Sequence, residues 1–144
     1  MAKRRNGAAN VRIKRAYEMY ADEDGYRVLV DGLWPRGISK EKLRADAWMR
    51  ELAPSAELRT WFGHDPSRWA EFQKRYRKEL SAKRALLDEL CERAKKGPVT
   101  LLFGAKDEAH NNAVVLRDVL TKRLERAAAS RAKRKAAPTE LHAG

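Results

Sequence analysis

The segment Val99-Thr100-Leu101-Leu102-Phe103 constrains this 144-residue chain most. It is a near-continuous apolar run bounded by Gly97-Pro98 and Gly104. A strand with one wet face alternates apolar and polar residues; one covered on both faces, as in a parallel sheet, does not. Two other segments read as strands. Tyr26-Arg27-Val28-Leu29-Val30 follows the turn composition Ala21-Asp22-Glu23-Asp24-Gly25 and is rich in β-formers. Val11-Arg12-Ile13-Lys14 alternates apolar with basic, as a strand with one buried face does. The chain between residues 31 and 98 reads mainly as helices, and such a crossover implies parallel strands joined right-handedly. The expectation is an α/β fold in one small domain. A short, mostly parallel sheet, with strands near residues 11–15, 26–31 and 98–103, is flanked by helices.

The helix signals are local. Ser39 with Glu41 and Lys42 opens a short helix, while residues 45–52 show no clear period. Ser55 caps a helix over about residues 56–62. Asp65-Pro66 is an N-cap followed by a proline at the first helical position. The next helix runs to about Leu80 and buries Trp69, Phe72 and Tyr76 at steps of three and four. Another, about residues 82–95, buries Leu86, Leu87, Leu90, Cys91 and Ala94; Gly97 ends it at the position after the cap and Pro98 prevents continuation. A last helix is expected from about Glu108, with Ala113, Leu116, Val119 and Leu120 as its core stripe.

Charge divides the chain differently. The net charge is +12. Residues 1–15 hold six basic groups and no acid, residues 121–136 hold seven against Glu125, and residues 16–120 hold 19 basic and 18 acidic groups. The expected organisation is therefore a disordered basic arm at 1–10, an α/β domain at 11–124, and a basic Ala/Arg/Lys-rich tail at 125–144. The candidate nucleic-acid contacts are Lys3, Arg4, Arg5, Arg131, Lys133, Arg134 and Lys135. Neither basic segment interleaves aromatics, so weak, non-specific phosphate contact is the partner they suggest. Solubility alone is the other reading of such charge. No run of about 18 apolar residues exists, so no membrane partner is expected. No apolar stretch follows the basic start, so no secretory signal is read there. Residues 1–15 are Arg-rich and acid-poor, as a mitochondrial presequence is, but lack Ser and a clear amphipathic helix. One cysteine rules out an internal disulfide framework and suits a cytoplasmic location. The sequence names no cofactor and no oligomeric state. Its glycines fit neither a dinucleotide fingerprint nor a P-loop, and three dispersed histidines suggest no metal site.

In open α/β sheets, ligands bind beyond the carboxyl ends of the strands. Two segments follow strands there: Asp31-Gly32-Leu33-Trp34-Pro35-Arg36-Gly37, and Gly104-Ala105-Lys106-Asp107-Glu108-Ala109-His110-Asn111-Asn112. Each supplies a cation, a carboxylate and small residues, and the second runs into a helix start that favours anions. His110, Asp31 and Asp107 are the acid/base candidates. Trp34, Arg36, Lys106, Asn111 and His64 are the ligand-binding candidates. Each has a structural reading too. Asp107 serves as a helix N-cap, Asp31 pairs with Arg36, Lys106 is a solvated loop lysine, and His110 and Asn111 satisfy backbone groups. The expected ligand is a small anion, phosphorylated or nucleotide-like, held with or without catalysis.

The segments Val28-Leu29-Val30-Asp31-Gly32-Leu33-Trp34-Pro35-Arg36-Gly37, Glu51-Leu52-Ala53-Pro54-Ser55, Leu58-Arg59-Thr60-Trp61-Phe62-Gly63-His64-Asp65-Pro66 and Lys106-Asp107-Glu108-Ala109-His110-Asn111-Asn112-Ala113 strongly resemble the YeaO-like branch of the domain-of-unknown-function 488 family. The match covers about residues 11–120. The resemblance implies a compact α/β domain and supplies no activity. More distant branches carry a Cys-His-Arg triplet at the start of the last helix. By that resemblance Asn111, Asn112 and Ala113 hold those positions here, so the thiol and the arginine of that triplet are missing.

Overall fold

In the computed structural model, which describes residues 7–136, the run Val99–Phe103 is strand β4, and all five of its side chains are buried. It lies inside a four-stranded, all-parallel sheet of order β1-β4-β2-β3. The others are β1 (Val11–Arg15), β2 (Tyr26–Leu29) and β3 (Ala47–Trp48). Val11 and Tyr26 both pair with Val99. Three strands thus begin level, and their carboxyl ends open on one edge. The two-residue β3 is an addition to the expected strands. It is tied to β2 from both sides of Asp46, whose Oδ2 accepts from the Arg27 amide at 2.8 Å and whose own amide donates to the Arg27 carbonyl at 2.7 Å.

Five helices complete the fold: α1 (Lys40–Leu43), α2 (Ala56–Phe62), α3 (Trp69–Leu80), α4 (Arg84–Lys96) and α5 (Asn112–Ala136). Ser39 and Ser55 cap α1 and α2, each accepting the amide three residues on at 3.1 Å. Asp65 caps a single 3₁₀ turn, Pro66–Arg68, that leads into α3. Gly97 follows the end of α4 and Pro98 blocks its continuation, as expected, although Gly97 is not left-handed. Its φ is 172°, extended backbone open to any residue.

The alternation of strand residues sorts the core. Val28, Val99, Leu101 and Phe103 pack with Phe72, Tyr76, Leu87, Leu90, Leu116 and Leu120 of the helices. Leu29 and Leu102 point the other way, onto Ala16, Leu43, Trp34 and Trp48. The long crossover α2–α4 and the following α5 cover the first face; α1 and the loops around it cover the second. That second face also buries charge. Arg27, 1% exposed, donates to Asp24 and to the Leu43 and Arg44 carbonyls at the end of α1. Burial works against the Asp24 charge, yet bonds from Lys14, the Ala21 amide and Arg27 hold its carboxyl below the ordinary range.

Residues 7–10 depart from the disordered arm expected of them. Gly7 to Asn10 form a turn docked on α4. Ala8 is buried, Asn10 Nδ2 donates to the Ala94 carbonyl at 2.7 Å, and Gly7, at φ +84°, lies so close to Ala94 that a Cβ would stand 2.7 Å from its oxygen. Lys3, Arg4 and Arg5 lie outside the described residues. At the other end α5 runs unbroken to Ala136, although Leu124 is its last buried side chain. The rest of the expected tail, 137–144, lies outside the described residues. Among the described residues no helix is long and apolar enough to cross a membrane.

Candidate functional site

The last helix starts four residues later than its composition suggests, and the reason shapes the site. Asp107 Oδ1 accepts the amides of Ala109 and His110 at 2.9 and 3.0 Å, folding residues 107–110 into a turn of their own. Asn111 is the true cap. Its Oδ1 accepts the Val114 amide at 3.1 Å, and its Nδ2 donates back to the Asp107 carbonyl at 2.9 Å. Residues 104–111 thus form a loop over the carboxyl edge of the sheet, and α5 begins beneath it.

Asp31 ties the two strand ends together. Its Oδ2 accepts the Gly104 amide at 2.8 Å, and its Oδ1 accepts Asn112 Nδ2 at 3.1 Å. Asn112 Nδ2 also reaches the Val30 carbonyl at 3.0 Å. The approach to Gly104 is close: a Cβ there would meet Asp31 Oδ2 at 3.3 Å, and the carboxylate would have to yield by a few tenths of an ångström. Burial raises the Asp31 carboxyl above its ordinary range, against the pull of the Gly104 amide, Asn112, Arg59 and His64. Behind it Tyr76 is fully buried and donates its hydroxyl to the Leu52 carbonyl at 2.5 Å. Burial, with the charge of Asp31, pushes that hydroxyl far above the phenol range.

A cleft of about 240 Å³ opens at this point, lined among others by Asp31, Arg59, His64, His110, Asn111 and Asn112. Its floor is aromatic: Phe62 and Phe72 stack with ring centres 4.4 Å apart. Its rim carries one guanidinium and two imidazoles. Arg59 comes from α2, with Nη1 3.5 Å from where a Cβ on Gly32 would stand. His64 follows the left-handed Gly63 and is itself left-handed at φ +57°. A non-glycine residue there is uncommon, and such strain gathers at functional sites. His110 stands edge-on to Trp69, with ring centres 5.2 Å apart. His110 Nδ1 lies 2.9 Å from Asp107 Oδ2. An ionised carboxylate only accepts, so Nδ1 donates in this pair and Nε2 faces away from Asp107. The Ala109 amide and the His110 ring hold the Asp107 carboxyl below its ordinary range.

Of the residues singled out in the sequence, Asp31, His64, His110 and Asn111 line the cleft, and Asp107 supports His110 from behind. Arg36, Lys106 and Trp34 are not among its lining residues. Arg36 and Lys106 are exposed, and the Arg36 carbonyl accepts the Tyr17 hydroxyl. Asp31 is bonded to Gly104 and Asn112, not to Arg36. Trp34 belongs to the other face, where its Nε1 donates to the Ile38 carbonyl at 2.6 Å and its ring meets Trp48 edge-on. The cleft's guanidinium is Arg59, which the sequence reading left without a role. The signal for it was indirect: it stands one helical turn past the Ser55 cap, within the segment that also carries His64. Among the described residues no three His, Cys, Asp or Glu side chains gather as a metal site.

The triplet positions at the start of α5 have other work in this chain. Asn111 caps the helix, Asn112 bridges Val30 and Asp31, and Ala113 is fully buried. A family model described as the "Inactive DUF488-N3 subclade" matches residues 10–140. The uncharacterized protein YeaO of Escherichia coli (strain K12) is 44% identical over 111 residues, covering 77% of this chain and 96% of YeaO. The uncharacterized protein Rv3073c of Mycobacterium tuberculosis (strain H37Rv) is 44% identical over 113 residues, covering 78% of this chain and 95% of that protein. No solved structure matches.

Proposed function

The chain belongs to the DUF488 family, in the subclade described as inactive, and from that premise we propose that its cleft recognises a small anionic ligand without transforming it. The observation that carries this reading is the convergence of Arg59, His64 and His110 on one cleft at the start of α5. A guanidinium binds a phosphate or carboxylate in a bidentate way, two imidazoles add donors when protonated, and the helix start favours negative charge. Phe62 and Phe72 offer an apolar floor for the rest of the ligand. The cleft, at about 240 Å³, lies below the roughly 300–1,000 Å³ of drug-sized sites, which points to a compact ligand. The structural use of Asn111, Asn112 and Ala113 supports binding over chemistry. A cytoplasmic setting belongs to the same reading, since the lone thiol, Cys91, is buried.

Thermal unfolding with small phosphate monoesters and carboxylates tests it. A ligand at 100 times its Kd adds about 2.7 kcal/mol of stability. The midpoint rises for the wild type and not for Arg59→Ala, whose exposed side chain contributes little to the fold. No rise with any compound, or equal rises for both proteins, overturns the reading.

A second reading has one observation in its favour, the His110–Asp107 pair at 2.9 Å. It gives the cleft a general base at Nε2, with Asp107 orienting the ring and Asp31 as a further carboxylate. Under that reading a bound compound is converted by the wild type and not by His110→Gln.

A further inference from the structure

We propose that the exposed end of α5 docks in the major groove of duplex DNA and holds the phosphates on both groove walls. Helix α5 starts at the cleft, where Asn112 meets Asp31, and runs back to pack on the Ala8–Asn10 turn at the opposite end of the domain. Past Leu124 it leaves the core and continues to Ala136, twelve residues on, or about 18 Å. Nearer the domain its cations are neutralised: Lys122 pairs with Asp118 and Arg123 with Asp88. Beyond Glu125 come Arg126, Arg131, Lys133, Arg134 and Lys135, all exposed, with no acid among them. Among the described residues none of these five forms an ion pair, although the charge of Arg131 is felt by Glu92 and Arg134 donates to the Ser130 hydroxyl.

Their placement selects the partner. At about 100° per residue, Lys133 lies on the same side of the helix as Arg126, Arg131 and Lys135 lie about 140–180° round from it, and Arg134 lies between them at about 80°. A flat anionic surface engages one side of a helix; a groove with two charged walls engages opposite sides. The B-DNA major groove, about 12 Å wide, admits a helix of about 10–12 Å diameter. The deep, narrow major groove of duplex RNA does not. The residues between the cations include Ala127, Ala128, Ala129 and Ala132, so the helix carries no large apolar face for a lipid surface.

The test is the salt dependence of binding to a fluorescein-labelled DNA duplex of about two helical turns. The full chain is compared with the variant Arg126→Gln, Arg131→Gln, Lys133→Gln, Arg134→Gln, Lys135→Gln. Glutamine keeps helix propensity, and circular dichroism confirms that the variant is folded. Each phosphate contact contributes about −0.9 to the slope of log affinity against log salt, so three to five contacts contribute about −2.7 to −4.5. The expected result is that the variant loses a slope of that size, and that the wild type binds the DNA duplex at least tenfold tighter than an RNA duplex of the same sequence. No DNA binding at low salt, or a slope unchanged to within about 0.9, overturns the proposal. Equal affinity for the two duplexes overturns the groove placement.

Discussion

Replacing Asn112 by alanine removes the one side chain that joins the β2 end to the start of α5. Its Nδ2 donates to the Val30 carbonyl at 3.0 Å and to Asp31 Oδ1 at 3.1 Å. The first is a neutral bond, worth about 0.5–1.5 kcal/mol net; the second, to a carboxylate, about 1.5–3 kcal/mol. Asn112→Ala is therefore expected to cost roughly 2–4 kcal/mol at neutral pH. At a urea dependence of about 2 kcal/mol per molar, the middle of the usual range, the unfolding midpoint falls by about 1–2 M. The pH dependence identifies the cause. Burial holds the folded Asp31 carboxyl above its ordinary value of 3.8. Its contribution to stability is present below that ordinary value and is lost as pH rises through the folded value. Asn112 lowers the folded value, so without it the value climbs further and more stability is lost on the way to pH 7. The gap between wild type and Asn112→Ala is then widest near neutrality and narrows as pH falls toward about 4. Urea titrations at pH 7, 5.5 and 4 measure it. A gap constant across that range refutes the coupling of Asn112 to a charged Asp31.

Four further substitutions test the scaffold. Gly25→Ala meets the Pro98 carbonyl oxygen at 2.3 Å from a φ of +66° and should lower the urea midpoint severely, whereas Gly37→Ala, at φ +82° with open space around it, should cost only about 1 kcal/mol. Asp24→Ala strands the buried Arg27 and should cost about 3–5 kcal/mol. The stability that ionised Asp24 contributes is present above its ordinary value of 3.8 and is lost as pH falls through its lowered folded value. The cost of Asp24→Ala therefore shrinks in acid, as urea titrations across pH will show. Ala113→Arg, which restores the arginine of the distant triplet, forces a guanidinium into a fully buried site and should abolish cooperative unfolding in calorimetry.

The parts of the fold with local causes were legible in the residues. The apolar run at 99–103 announced a strand covered on both faces, and Ser39, Ser55 and Asp65 marked helix starts by their own side-chain oxygens. What was not legible depended on distant partners. β3 is two residues long and carries no period of its own; it exists because Arg27 and Asp46 exchange bonds across 19 positions. The start of α5 was misplaced because Asp107 and Asn111 are both good caps, and only the folded loop decides which amides each reaches. The same limit applied to the cleft. Both loops at the carboxyl edge were identified, with Asp31, His64, His110 and Asn111 among the lining residues. The cation came instead from α2, since nothing in the local pattern of Arg59 shows that its helix returns to that edge.

A cleft that binds a small anion and leaves it intact has a spectroscopic signature. One titration tests it directly: 1H–15N spectra of the full chain with phenyl phosphate and benzoate, with 31P spectra of the phosphate sample followed over the same hours. Saturable shifts are expected at the amides of Gly104, His110, Asn111 and Asn112, with the ester undiminished. Shifts confined elsewhere, or inorganic phosphate released by the wild type and not by His110→Gln, would contradict that expectation.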